Sequence, residues 1–208
     1  MKVKICGVTT FADALMCAEA GADFIGLNFY PKSPRYLLRE AACEIVNGLH
    51  DLTRRPILVG VFVNESAATM KAVLDECRLD LAQLSGDEPD EVLQAMGERG
   101  FKATRQTNAC LPITNNQLLL FDAHAAGQFG GTGKTADWGA AAQLASQCRL
   151  LLAGGLTPEN VGDAIRRVQP WGVDVASGVE SAPGVKDPMK VKVFIHKAKH
   201  APASTLRV

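Results

Sequence analysis

Three observations predict an α/β protein built as an eight-stranded parallel barrel. Eight short apolar runs recur along the 208 residues, and seven of them lead into a stretch with helical spacing. Strand and helix alternate throughout, which requires parallel pairing with helical crossovers. Glycine-rich segments follow the last two runs, where barrels of this kind bind phosphate. Eight βα units are the number that closes into a single-domain (βα)8 barrel of the TIM type; an open doubly wound sheet is the alternative.

The elements follow in order. Val3–Ile5 reads as the first strand, with a helix over Phe11–Ala20 that stops at Gly21. Phe24–Phe29 is the second, with a helix over Arg39–Leu49. Ile57–Val63 is the third, and Ser66 can cap a helix running to Cys77. Leu79–Leu84 is the fourth, with a helix over Pro89–Met96. Phe101–Arg105 is a weak fifth strand. The stretch Thr107–Gln117 holds Pro112 and barely spans a crossover, so a degenerate fifth helix is expected there. Leu118–Asp122 is the sixth strand, with a helix over Trp138–Gln147. Leu150–Ala153 is the seventh, with a helix from Pro158, a favourable first helical residue, to Val168. Val173–Ala176 is the eighth, with a last helix over Pro188–Lys199. The polar tail from Lys197 to Val208 is expected to fray.

Composition narrows the function classes. Hydrophobic residues are 47% and charged residues 21%, which excludes a disordered chain. Twenty-two basic residues balance 22 acidic ones, and no basic stripe appears, so nucleic acid is not the expected partner. No apolar run reaches the length of a membrane span, and Gly7 interrupts the start before a signal-peptide core forms. Six widely spaced cysteines, none in a C-x-x-C pair, argue against a zinc site and against a disulfide framework. The expected compartment is the reducing cytoplasm, with most cysteines packed as small hydrophobes. Monomer and homodimer both remain open.

In a closed barrel the strand ends carry the chemistry. Gly154 and Gly155 follow strand seven, and Ser177 and Gly178 follow strand eight. Their backbone N–H groups can approach an anion closely, so these four residues are the candidate phosphate clamp; the plain alternative is that they only end strands. Gly130, Gly131 and Gly133 lie in the long connection between Asp122 and Trp138, a candidate lid. The Gly133-Lys134-Thr135 ending mimics a P-loop, but Gln128 stands where that motif needs glycine, so ATP is not expected.

Cys6 ends strand one and Asp122 ends strand six. By strand parity Leu118, Leu120 and Asp122 face inward, as do Lys4 and Cys6. They are candidates for acid–base work; the alternatives are a packed thiol and a loop-pinning carboxylate. Lys4 and Asp174 also share the interior, on strands that meet only when the barrel closes. A buried lysine alone is costly, so an internal Lys4–Asp174 ion pair is expected.

The residues then add up to a resemblance. Lys4-Ile-Cys-Gly7, Ser33-Pro-Arg-Tyr36, Gly60-Val-Phe-Val-Asn64, Gly130-Gly-Thr-Gly133, Leu152-Ala-Gly-Gly-Leu-Thr-Pro-Glu-Asn-Val161, Ser177-Gly-Val-Glu180 and Gly184-Val-Lys-Asp187 resemble the phosphoribosylanthranilate isomerases of tryptophan biosynthesis. The resemblance spans nearly the whole chain. It implies an Amadori rearrangement of a phosphoribosylated anthranilate, with no cofactor and no metal. It implies that Asp122 is the general acid, Cys6 the general base, and that Arg35 faces the anthranilate carboxylate. One departure stands out: the family usually reads Gln-Leu-His-Gly after strand four, and this chain reads Gln83-Leu-Ser-Gly86. Related readings are another sugar-phosphate isomerase barrel, which places aspartate in the Cys6 position, and a barrel that binds a phosphometabolite without catalysis.

Overall fold

The computed structural model describes residues 1–106, 118–123 and 137–201. Eight parallel strands close in sequence order, with the eighth paired back to the first. They are β1 (Lys2–Cys6), β2 (Phe24–Asn28), β3 (Ile57–Phe62), β4 (Leu81–Leu84), β5 (Gly100–Thr104), β6 (Leu118–Asp122), β7 (Arg149–Ala153) and β8 (Gly172–Val175). The helices are α1 (Phe11–Glu19), α2 (Arg39–Leu49), α3 (Ala67–Glu76), α4 (Asp90–Met96), α5 (Trp138–Ala145), α6 (Val161–Val168) and α7 (Pro188–Lys199). The degenerate fifth helix expected over 107–117 and the candidate lid residues Gly130, Gly131 and Gly133 lie outside the described residues.

Period-two alternation sorts the strand residues into two cores. Phe24, Val59, Phe101, Leu120, Leu151 and Ala153 fill the barrel interior. Their sequence neighbours, among them Ile25, Leu58, Leu119, Phe121, Leu150 and Leu152, face outward and pack under the helices. Helix starts follow side-chain chemistry. Thr10, Ser66 and Asp137 each accept a backbone N–H three residues on, for α1, α3 and α5. Asp187 caps α7 in the same manner, accepting from Met189 and Lys190, with Pro188 at the first helical position.

Several local expectations need correction. α6 begins at Val161 and not at Pro158, because Asn160 is its N-cap and its side chain holds the preceding turn through Thr157 N–H at 2.8 Å. α7 ends at Lys199 as expected, but the fraying expected from Lys197 does not begin there: residues 197–199 are helical, with Ala198 buried. A short hairpin follows β8, made of β9 (Glu180–Ala182) and β10 (Val185–Lys186). Its strands are too short and polar to register as apolar runs. Cys43 of α2 and Cys77 beside α3 form a disulfide, with Cα atoms 4.4 Å apart. Sequence spacing hides this pair, because a barrel sets consecutive helices side by side although 34 residues separate the cysteines.

Candidate active site

The C-terminal ends of the strands gather the sequence-marked residues around one mouth. Cys6 stands at the end of β1 and is partly exposed. Gly7 follows with φ +70°, a conformation that suits glycine. A Cβ on Gly7 would overlap Cδ of Arg35, so the arginine side chain lies directly across this bare backbone. Arg35 comes from the loop after β2, where its N–H bonds the Ser33 hydroxyl at 3.1 Å.

Arg35 is held from the far side of the sequence. Its Nε and Nη2 donate to the two carboxylate oxygens of Glu180, at 2.8 and 2.6 Å. Lys186 Nζ donates to Glu180 at 2.7 Å and to the carbonyl of Cys6 at 2.6 Å. The Lys186 side chain is fully buried. The hairpin therefore ties Arg35 to the backbone of the candidate base. Burial alone would push the Glu180 carboxyl up, but Arg35 and Lys186 prevail and hold it below its ordinary value. Sequence reasoning missed Glu180 and Lys186, although both lie inside stretches that carry the family resemblance.

Below the mouth, Lys4 Nζ lies 2.8 Å from Asp174 Oδ1, and the two residues are register partners across the β8–β1 seam. Lys4 is wholly buried. Burial favours its neutral form, yet Asp174, with a smaller contribution from Cys6, holds its pKa above the ordinary value.

Asp122 ends β6 at the mouth, with its side chain 28% exposed. Arg105 Nε donates to its Oδ2 at 3.2 Å. Arg105 follows β5 directly and is a partner of Asp122 that the sequence does not single out. After β7, Gly154 and Gly155 take φ +98° and +63°. The Gly155 carbonyl accepts from Asn160 Nδ2 at 2.9 Å, which fixes the loop. After β8, Ser177, Gly178 and Val179 form one 3-10 turn. A Cβ on Gly178 would overlap the Leu156 carbonyl oxygen, so glycine there lets the loops after β7 and β8 touch. Ser85, in the place of the family's histidine, accepts a hydrogen bond from buried Gln83 Nε2 at 3.0 Å.

A cavity of about 730 Å³ lies at the opposite end of the barrel, among Phe24, Phe101, Trp171 and the starts of other strands. It contains none of the candidate catalytic or clamp residues. Among the described residues no cluster of three or more His, Cys, Asp or Glu side chains is arranged to hold a metal ion. No helix among them is long and apolar enough to cross a membrane.

A closed parallel barrel that gathers a thiol, a carboxylate and glycine-rich loops at the C-terminal ends of its strands has the architecture of a barrel enzyme. Residues 3–197 match the family model for N-(5'phosphoribosyl)anthranilate (PRA) isomerase. The N-(5'-phosphoribosyl)anthranilate isomerase of Geotalea uraniireducens is 47% identical over 206 residues, covering 95% of this chain and 98% of that protein. The phosphoribosyl anthranilate isomerase of Thermotoga maritima superposes with a TM-score of 0.83 at 39% identity, over 96% of this chain and 98% of that one. A second solved isomerase, in complex with reduced 1-(o-carboxyphenylamino)-1-deoxyribulose 5-phosphate, superposes at 0.79 with 37% identity and the same coverage. The chain belongs to the N-(5'-phosphoribosyl)anthranilate isomerase family.

Proposed function

We propose that this chain converts N-(5-phosphoribosyl)anthranilate to 1-(2-carboxyphenylamino)-1-deoxyribulose 5-phosphate, with Asp122 as general acid and Cys6 as general base. The observation that carries the assignment is the placement of Cys6 and Asp122 at the C-terminal ends of β1 and β6, the same end of the barrel that carries the glycine loops after β7 and β8. An aldose-to-ketose shift through an imine needs one proton donor and one acceptor. Asp122 protonates the ribose ring oxygen as the C1′–O bond breaks, and the nitrogen lone pair forms the C1′=N bond. The Cys6 thiolate then takes the C2′ proton. The C–H electrons form the C1′–C2′ double bond, and the imine electrons return to nitrogen. Tautomerisation of the resulting enol gives the 2-ketone.

Arg35 receives the anthranilate carboxylate. Glu180 occupies its Nε and Nη2, and among the described residues its Nη1 donates to nothing. A planar guanidinium already fixed on one edge loses little freedom when it binds a carboxylate on another. Gly154, Gly155, Ser177 and Gly178 hold the phosphate. Addition of the protein to freshly made phosphoribosylanthranilate should accelerate the decay of its anthranilate fluorescence. A decay unchanged from buffer alone would remove the assignment.

A further inference from the structure

Cys6 and Lys4 share the inward face of β1, and Gly26 of β2 is the register partner of Cys6. A Cβ on Gly26 would stand 2.8 Å from the Cys6 sulfur and 3.1 Å from Lys4 Nζ. Sulfur and ammonium thus approach over one bare Cα, with no side chain between them. The ammonium is fully buried, and Asp174 at 2.8 Å is its counter-charge. In low dielectric a positive charge at that range favours the charged form of a thiol.

We propose that Lys4 is a positioning residue that stabilises the thiolate of Cys6 when it forms, and that Asp174 keeps Lys4 charged inside the barrel. The proposal rests on the reading of Cys6 as general base. It gives the Lys4–Asp174 pair a task beyond filling the interior, and it explains a glycine at position 26, where any side chain would displace one of the two partners. Lys4 does not itself become the base. Asp174 and the Cys6 thiolate together outweigh burial and hold its proton on. The C2′ proton therefore goes to sulfur, leaving a neutral thiol beside an unchanged ammonium.

Other charges face Cys6. Arg35 lies across Gly7, and Lys186 donates to the Cys6 carbonyl, but both are paired with Glu180. Asp174 stands across the seam on β8.

The test is the pH dependence of Cys6 alkylation, read by mass spectrometry on the Cys6 peptide. The other thiols do not interfere: burial pushes Cys17 up to about 12 and raises Cys148, and Cys43 and Cys77 are bonded to each other. Wild type is compared with Lys4→Met and with Lys4→Met/Asp174→Asn. The double variant carries no lone buried charge and covers the case in which the single one fails to fold. The midpoint should rise by about one unit in both, a tenfold smaller thiolate fraction near neutral pH. The acid limb of the kcat/KM profile should move with it, which a purely structural role for Lys4 would not produce. A midpoint unchanged from wild type in the folded variants overturns the proposal, even if Cys6→Ser is inactive. If instead Cys6→Ser turns over normally, the reading of Cys6 as base fails, whatever Lys4 does to the thiol.

Discussion

Glu180→Gln isolates the brace that joins the hairpin, Arg35 and the backbone of Cys6. The substitution keeps the shape and removes the charge that two cations share. Glu180 is 7% exposed and Lys186 2% exposed, so the pair is screened little by solvent. Removing one partner of a buried ion pair typically costs about 3–5 kcal/mol, because the other charge is left uncompensated. Lys186 still donates to the Cys6 carbonyl at 2.6 Å and reaches that of Ala176 at 3.4 Å, which places the loss near the lower end, about 3 kcal/mol. For a chain of this size that corresponds to a fall in Tm of roughly 6–12 °C at pH 7. The pH dependence carries a sign. The folded-state pKa of Glu180 is depressed, so its contribution is fully present above its unfolded value of about 4.3. That contribution disappears as pH falls through the lower, folded value. The gap between wild type and Glu180→Gln should therefore narrow as pH falls below about 4. Thermal melts followed by circular dichroism from neutral to acid pH measure both quantities. A Tm within about 2 °C of wild type at pH 7 would contradict a buried brace. A gap that stayed constant down to strongly acid pH would refute the assigned charge state.

Arg35→Ala should weaken binding of the reduced product analogue by about 2–3 kcal/mol, the range for a charged hydrogen bond, while an analogue lacking the carboxylate binds both forms alike. Equal losses for the two analogues in calorimetry would sink the contact. Gly178→Ala forces a methyl group against the Leu156 carbonyl and should cost about 1–3 kcal/mol. It should also raise the Ki of inorganic phosphate as a competitive inhibitor; an unchanged Ki would detach this loop from phosphate binding. Asp174→Ala leaves Lys4 buried without its counter-charge and should cost about 3–5 kcal/mol in urea unfolding. A cost below about 1 kcal/mol would mean the ammonium is neutralised or solvated once the pair is broken.

The barrel was legible because its signal is repetitive. Period two separates Leu120 from Leu119 and Phe121, and the structure places the first inside and the others under helices. Closure follows from counting units, and closure alone sets Lys4 beside Asp174, 170 residues apart. The backbone demand for glycine is visible in the structure, as positive φ at Gly154 and Gly155 and as close loop contact at Gly178. The hairpin was not legible in the sequence, since Glu180, Lys186 and Arg35 acquire their meaning only from one another across the mouth. The disulfide was hidden for the same reason: pairing depends on which helices are neighbours, and spacing in the chain does not record that. The start of α6 was misplaced because Pro158 is a permissive residue, whereas the Asn160 side chain decides where the turn ends.

The central claim is the division of two proton transfers between Cys6 and Asp122. It is tested most directly by measuring kcat together with an independent equilibrium Kd for the reduced product analogue in Cys6→Ser and Asp122→Asn. Serine leaves a hydroxyl too weak to accept the C2′ proton, and asparagine keeps the shape of Asp122 without a transferable proton. Each variant should lose about 10²–10⁴ in kcat, the usual worth of one positioned acid or base, with the Kd close to wild type. Near wild-type turnover by Cys6→Ser would mean that the thiol is only packed in the mouth and that another group removes the proton.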